Sequence, residues 1–384
     1  MDRALALAAT GLGLTSPNPA VGAVLVRDGL VAGEGAHARA GGPHAEAMAL
    51  AAAGDRARGA TCYVTLEPCA HRGRTPPCAD ALVAAGVSRA VVACRDPNPL
   101  VDGRGLARLR AAGVEVVVGV REAEARALNR GFFCFVTRGR PHVTLKSAMT
   151  LDGKIAAFDG ESRWITGEAA RQEAHRMRRV ADAILAGIGT VLRDDPQLTV
   201  RLPSGVEWGG RPEGRDVPGR PADLVEGAPL SADREPWRVI VDSGLRIPPG
   251  ARVLKAGTPG RTVVACVGPA PADRAAALRA HAVRVLEVRG DAGRVDLRAL
   301  LEALATLGVV AVLAEGGSEL GGSLVEAGLV DRVAFFIAPR LLGGRTAPGP
   351  VGGAGRALKD TLSLTAVTCR QIGEDWLVEG DVEH

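Results

Sequence analysis

Residues 44–78 constrain this chain more than any other stretch. His44 and Glu46 stand two positions apart, Glu67-Pro68-Cys69 follows a short apolar run, and Cys78 closes the set after Gly73-Arg74-Thr75-Pro76-Pro77. One histidine and two cysteines give Zn²⁺ three protein ligands, His44, Cys69 and Cys78, and leave the fourth tetrahedral position open to water. The pKa of such a water falls to about 7, which makes a nucleophile available at neutral pH. Glu46 is then placed to move a proton between that water and a leaving group. The competing reading is a closed structural site, which needs a fourth ligand. His71 is the available one, but that assignment leaves Glu46 without a task.

The remainder of the composition narrows the setting. A chain of 384 residues is long enough for two cored domains. Aromatic residues are only 3%, too few to build stacking surfaces for single-stranded nucleic acid, and a net charge of +4 is no strong electrostatic footprint. No nucleic-acid partner is expected. No apolar run reaches the length of a membrane span, so no membrane partner is expected either. The seven cysteines are scattered without a disulfide framework, and the N-terminus carries no secretory cleavage pattern. A cytoplasmic protein is expected.

Hydrophobic patterning gives the order of elements. A helix over 2–12 is broken by Ser16-Pro17-Asn18-Pro19, and strands 21–27 and 31–37 form a hairpin around Asp28-Gly29. His44 opens a helix to Ala53, stopped by Gly54; 60–66 is a buried strand, and Cys78 starts the next helix. Strand 89–94, helix 103–112, strand 114–118 and one helix over 121–135 follow. This order predicts a mixed sheet between helices. Zinc would rest at two helix N-termini, whose partial positive charge favours thiolates. Asn18, held on a stiff turn, suits reading a base edge, although alone it is an ordinary turn residue. Arg74 suits a substrate phosphate, with a solvated loop arginine as the alternative. His71 shares that spacer. Arg95-Asp96-Pro97-Asn98-Pro99 follows a strand end and suits the border of the expected pocket, with ordinary loop chemistry as the alternative.

Thr137-Arg138-Gly139-Arg140-Pro141 marks a boundary, with one domain over 1–139 and another over 141–384. The second opens with a core strand from Pro141 toward Lys154. A helix over 167–179, strands 183–187, 238–241, 262–267 and 283–288, a helix capped by Asp296 and a strand over 309–313 come next. The stretch 203–236 lacks periodicity and reads as a long surface loop. Glu315-Gly316-Gly317-Ser318-Glu319-Leu320-Gly321-Gly322-Ser323 joins strand 309–313 to a helix over 319–327, and glycines there let backbone N–H groups approach a pyrophosphate. Closing strands fall at 332–338, 362–369 and 375–380. The alternation predicts a largely parallel, doubly wound sheet with ligand at the strand carboxyl ends.

His44-x-Glu46 with Pro68-Cys69 is the arrangement of zinc nucleobase deaminases, although their usual Pro-Cys-x-x-Cys is replaced here by eight intervening residues. The run Pro68-Cys69-Ala70-His71-Arg72-Gly73-Arg74-Thr75-Pro76-Pro77-Cys78 resembles the deaminase half of the bifunctional riboflavin-biosynthesis deaminase–reductase family. The second half resembles the same family at Lys146–Lys154, Gly160–Thr166, Gly189–Arg201 and Glu315-Gly316-Gly317. The resemblance implies an α/β protein: a cytidine-deaminase-like α/β/α sandwich followed by a dihydrofolate-reductase-like doubly wound sheet. It implies Zn²⁺ and NADPH as cofactors and small phosphoribosyl-pyrimidines as substrates, deaminated first and then reduced from ribosyl to ribityl. By the resemblance Ala148, Trp164, Thr190, Asp194, Ser243 and Gly317, Ser318, Glu319, Leu320, Gly321, Gly322 and Ser323 contact NADPH. Ser162, Arg178, Leu198, Arg201 and Glu315 contact substrate, with Lys146 and Glu315 the polar residues nearest the reduced carbon. Enzymes of this kind commonly assemble as homo-oligomers, here expected to be a dimer or tetramer. Asp242 at a strand end would favour an unphosphorylated ribose, against which Ser243 and nearby Arg246 would receive a 2′-phosphate. Two rivals stand: a nucleic-acid or nucleoside zinc deaminase with an appended nucleotide-binding domain, and a non-catalytic zinc-stabilised nucleotide binder.

Overall fold

The computed structural model describes residues 1–71, 76–202 and 235–383. Arg74 and all but the last two residues of the 203–236 stretch lie outside the described residues. The chain divides after Gly139 into two compact units.

The first unit runs α1 (Asp2–Ala9), β1 (Gly22–Arg27), β2 (Leu30–Ala36), α2 (Ala45–Ala53), β3 (Thr61–Val64), α3 (Cys78–Ala84), β4 (Arg89–Val92), α4 (Arg104–Ala111), β5 (Glu115–Val118), α5 (Glu122–Leu128) and α6 (Arg130–Arg138). Its sheet has the order β2-β1-β3-β4-β5. β1 is antiparallel to β2 and β3, whereas β3, β4 and β5 are mutually parallel, so the sheet is mixed as expected. Asp28 and Gly29 both take positive φ, the backbone a two-residue hairpin turn requires. The core consists almost wholly of Ala, Val and Leu, among them Leu25, Val64, Leu82 and Val92. Such small side chains let helices come close. A Cβ at Gly33 would lie 2.4 Å from the Ala49 carbonyl and one at Gly35 2.5 Å from that of Ala45. Glycine at these two points therefore seats α2, and with it His44 and Glu46, directly on the hairpin.

The single helix expected over 121–135 is in fact two, separated at Asn129. Asn129 is buried, and its side chain donates Nδ2–H to the Ala20 carbonyl (2.9 Å) and accepts the Ala20 N–H (2.8 Å). The local pattern reads as continuous helix. A tertiary pairing 109 residues away in sequence interrupts it.

The second unit contains β6 (His142–Thr150), α7 (Glu168–Val180), β7 (Ala183–Gly187), α8 (Ile188–Asp194), β8 (Trp237–Val241), α9 (Arg252–Lys255), β9 (Thr262–Val267), α10 (Ala272–Ala280), β10 (Arg284–Val288), β11 (Gly290–Asp291), β12 (Arg294–Val295), α11 (Leu297–Thr306), β13 (Ala311–Ala314), α12 (Ser318–Glu326), β14 (Arg332–Ala338), β15 (Leu364–Ile372) and β16 (Asp375–Val382). Nine strands pair in the order β10-β9-β8-β7-β13-β6-β14-β16-β15. Every pair from β10 to β14 is parallel, and β16 and β15 close the sheet antiparallel. Both faces of its centre are covered: Leu185 and Val239 enter one apolar cluster, while their neighbours Ile184 and Ile240 enter another. That explains the unbroken apolar runs of the central strands. Asp296 caps α11 by accepting the Arg298 and Ala299 N–H groups, as its position in the sequence suggests. Helices α8, α9 and α10 carry no clear periodic signal and were not expected. The parallel pairing of β9 with β10 nevertheless demands a crossover between them, and α10 provides it.

The unit begins on a buried ion pair. Arg140 forks onto Asp331 at 2.7 and 2.8 Å, and Asp331 also accepts the Val143 N–H at 2.8 Å. These bonds fix the entry to β6, a role its Gly/Pro-flanked sequence does not reveal.

Candidate active sites

In the first unit His44 is the N-cap of α2 and Cys78 is the first residue of α3. Cys69 follows β3. The ligand atoms of His44, Cys69 and Cys78 all lie within 4.8 Å of one another, and among the described residues no other histidine, cysteine or carboxylate joins this cluster. His44 Nδ1 is 3.3 Å from Cys78 Sγ and 3.6 Å from Cys69 Sγ. The Cys78 backbone N–H, at the start of α3, points to Cys69 Sγ at 3.3 Å. Hydrogen bonding from the Cys78 thiol brings Cys69 down to about 4, against the opposing effect of burial, and the same bond pushes Cys78 up. One imidazole and two thiols, one already inclined to be thiolate, are the donor set of a three-ligand zinc site. His71, the conceivable fourth ligand, is exposed.

Glu46 lies on the first turn of α2, only 4% exposed. Burial raises its carboxyl to about 7, so at neutral pH it can both take and give a proton. Beside the cluster stands a residue that the sequence did not single out. His37, buried at the end of β2, donates from Nδ1 to the Pro43 carbonyl (2.9 Å) and accepts from Asn18 Nδ2 through Nε2 (3.2 Å). Its ring meets that of His44 edge-on at 5.5 Å. Asn18 is therefore brought to the zinc cluster by way of His37. The only sequence signal for His37 was its place at a strand end next to a turn. Asp96 is buried and raised to about 6, chiefly by desolvation, and accepts the Asn98 N–H at 2.8 Å, which orders the loop after β4.

In the second unit Glu315 is the hub. Its carboxylate accepts from Lys146 Nζ at 3.4 Å and Arg178 Nη2 at 2.9 Å, while Arg178 Nη1 donates to the Thr199 carbonyl at 3.0 Å. Burial would raise the Glu315 pKa, but Arg178 and Lys146 together outweigh it and hold the carboxyl down to about 2. Arg201 bonds Thr199 Oγ1 (2.8 Å) and Gln197 Oε1 (3.2 Å), and its backbone N–H donates to His175 Nδ1 (3.2 Å). Burial, Arg178 and Arg201 keep His175 low, at about 4, so it stays a neutral acceptor. His175 was not anticipated. Leu198 sits in this segment with its side chain in the core, which leaves only its backbone available to a ligand.

The nucleotide-binding candidates collect at the carboxyl ends of parallel strands. Ala148 is near the end of β6, Thr190 and Asp194 are in α8 after β7, Ser243 follows β8, and Gly317 caps α12 after β13. The N-termini of α8 and α12 carry no side-chain cap, and a Cβ at Gly317 would come 3.9 Å from Thr190 Oγ1. Two uncapped helix starts side by side leave backbone N–H groups for a pyrophosphate, which fits NADPH. Ser162 Oγ bonds Asp194 Oδ1 (3.2 Å), and the Arg171 guanidinium stacks on the exposed Trp164 ring at 4.7 Å. The run 317–323 is not wholly turned to a ligand. Leu320 is core, and a Cβ at Gly321 or Gly322 would strike the Pro350 or Gly352 carbonyl at 2.4 or 2.5 Å. Those two glycines admit the 350–353 segment, while Gly317, Ser318, Glu319 and Ser323 remain at least partly exposed. Asp242 is fully buried and accepts the Ile247 N–H at 2.8 Å. It shapes the turn after β8 and does not meet a ribose, which removes the conflict with a phosphorylated cofactor.

Comparison with known proteins adds to this geometry. A family described as the cytidine and deoxycytidylate deaminase zinc-binding region matches residues 1–94, and the RibD C-terminal domain matches residues 141–378. The chain is similar to the riboflavin biosynthesis protein RibD of Aquifex aeolicus, 41% identical over 98% of this chain and 96% of the relative. It is also similar to the Escherichia coli protein of that name, 43% identical over 89% and 88%. Among solved structures, Acinetobacter baumannii RibD superposes with a TM-score of 0.83 at 38% identity, covering 100% of this chain and 99% of that one. The diaminohydroxyphosphoribosylaminopyrimidine deaminase/5-amino-6-(5-phosphoribosylamino)uracil reductase of Thermotoga maritima gives 0.80 at 35%, covering 100% and 97%.

Proposed function

The chain belongs to the RibD family of bifunctional deaminase–reductases, and from that premise we propose how its residues divide the two reactions. It is an enzyme of riboflavin biosynthesis that uses Zn²⁺ for deamination and NADPH for reduction. We assign deamination to residues 1–139 and reduction to residues 141–384. The substrate is 2,5-diamino-6-(5-phosphoribosylamino)pyrimidin-4-one and the final product 5-amino-6-(5-phosphoribitylamino)uracil. One observation supports this most: three converging ligands with a buried carboxyl beside them, poised to titrate near neutrality.

His44, Cys69 and Cys78 hold the zinc ion, which when bound supplies the Lewis acidity that makes water a nucleophile at neutral pH. Glu46 takes one proton from the attacking water to the ring nitrogen as the C–O bond forms, then moves the second, from the added hydroxyl, to the amine as the C–N bond breaks and ammonia leaves. Asn18, His71 and Arg74 bind the substrate. In the second unit bound NADPH would be the source of hydride for C1 of the opened sugar in its imine form. The accompanying proton comes from Lys146, because Glu315, held at about 2, is ionised and has none to give. All three nitrogens of Arg178 are engaged by Glu315 and Thr199, so Arg178 orders the carboxylate, and Arg201 is left to meet the phosphate. Ala148, Trp164, Thr190, Asp194, Ser243 and the Gly317–Ser318 start of α12 would hold the nucleotide.

The same reading includes a homo-oligomer, a dimer or tetramer. It is supported by β15, an edge strand of the sheet, whose Val367 is 54% exposed next to Trp376 of β16 at 45%. Light scattering on the purified protein measures the mass directly. A cytoplasmic location is supported by seven cysteines, all free; no helix among the described residues is long and apolar enough to cross a membrane. The functional test is metal analysis joined to coupled turnover. Zinc-replete protein should release ammonia from the phosphoribosylaminopyrimidine and then consume NADPH. Ammonia release from RNA in place of the small substrate would favour an editing enzyme instead.

A further inference from the structure

We propose that Glu67 is the positioning residue for Cys69, acting as an N-cap supplied to α4 from outside that helix. The inference rests on reading His44, Cys69 and Cys78 as the zinc ligands. Glu67 is 3% exposed, and neither the metal site nor the proton shuttle uses it. Its two carboxylate oxygens accept four backbone N–H groups: Gly105 (2.9 Å) and Leu106 (3.2 Å) on Oε1, Gly103 (3.0 Å) and Asp96 (3.3 Å) on Oε2. Three of these belong to the N-terminus of α4, which has no side-chain cap of its own and begins at Gly103 with φ of +86°. An ionised carboxylate suits that end of a helix both as an acceptor and as a charge.

The clamp reaches the metal ligand by two routes. The Glu67 N–H donates to the Cys94 carbonyl (3.0 Å), so the residue is fixed at the ends of β3 and β4 through its backbone and at α4 through its side chain. On the opposite side, a Cβ at Gly105 would lie 1.9 Å from the Pro68 carbonyl oxygen. The peptide joining Pro68 to Cys69 is thus seated directly on the first turn of α4. From there Cys69 continues to α3, its carbonyl accepting the Ala79 N–H (3.2 Å) and its sulfur facing the Cys78 N–H (3.3 Å). One buried carboxylate therefore sets the thiolate and, through Asp96, the loop after β4.

Glu67→Gln preserves size but turns an amide N–H₂ toward backbone N–H groups, leaving donors facing donors. The experiment uses the full-length protein as wild type, E67Q, E67D, G105A and C69S. It measures zinc transfer to the chelating dye 4-(2-pyridylazo)resorcinol and the visible absorption of the cobalt-substituted protein. E67Q should weaken zinc binding on the order of 10–100-fold, as loss of a ligand-orienting partner does, and should shift the thiolate-to-cobalt bands. NADPH oxidation by the same preparation with deaminated substrate should be unchanged. E67D, whose shorter arm reaches fewer amides, should fall between. If E67Q does not fold, G105A decides, since its methyl group displaces the same peptide from the other side. Wild-type zinc affinity and cobalt spectrum in E67Q, or in G105A where that variant decides, would overturn the role of Glu67. Wild-type zinc affinity in C69S would instead overturn the ligand assignment beneath it.

Discussion

The two active sites of this chain are built in opposite ways. In the first unit the three candidate ligands and Glu46 fall within 35 residues, His44, Glu46 and Cys78 at two helix N-termini and Cys69 in the segment after β3. In the second, Lys146 and Glu315 are 169 residues apart and meet because β6 and β13 run side by side in parallel, with Leu145 opposite Ala314. The site residues come one position later, Lys146 still within β6 and Glu315 just past the end of β13. A local site can be spelled by spacing alone, whereas a site at the carboxyl ends of parallel strands is spelled by register. The difference extends to charge. Burial outweighs the opposing charge of His44 and raises Glu46 to about 7, while Glu315, equally buried, lies against Arg178 and Lys146 and falls to about 2. The same side-chain type is thus suited to carrying a proton in one site and to standing as a fixed anion in the other.

This contrast can be broken or sharpened by four changes. Glu46→Gln should lower deamination by about 10²–10⁴-fold, with zinc content and NADPH-dependent reduction unchanged; steady-state ammonia release checks it, and retained turnover in a zinc-loaded variant would remove the shuttle. Lys146→Ala should lower reduction by at least about 10²-fold while ammonia release persists. Parallel loss of both activities in a folded protein would show that the sites are not independent. Glu315→Gln leaves Arg178 and Lys146 facing each other without their anion and should destabilise the second unit by about 3 kcal/mol, read from denaturant unfolding. The pH dependence has a definite sign. Because the folded-state pKa of Glu315 is depressed, its contribution is complete above about 4.5 and is lost as pH falls from there toward about 2. The variant should show a shallower acid limb in that window, and an unchanged limb would count against the ion cluster. Asn129→Ala is the smallest effect. Loss of both bonds to Ala20 should cost about 1–3 kcal/mol in the first unit and slow deamination by loosening the Asn18 turn, with no effect on reduction.

Much of the fold was legible because its signals were local: Asp28-Gly29 for the hairpin, Asp296 for a helix start, and apolar runs for strands of a parallel sheet. What was not legible depended on distant partners. Asn129 splits a helix only because Ala20 lies against it, and Arg140 is buried only because Asp331 awaits it. Asp242 read as a ribose ligand from its strand-end position, yet its carboxylate turns inward to the Ile247 N–H. At the sites, the convergence of His44, Cys69 and Cys78 could be read from residue type and spacing. His37 and His175 could not, because each matters through its hydrogen-bond partners, and sequence spacing does not encode those.

The most direct test of the central claim, two chemistries housed separately in one chain, is to strip the metal with a chelator and assay both reactions on the same sample. The account predicts that ammonia release stops and returns on adding Zn²⁺, while NADPH oxidation with previously deaminated substrate continues at its original rate. Ammonia release at full rate from metal-free protein, or reduction that disappears with the metal, would contradict it.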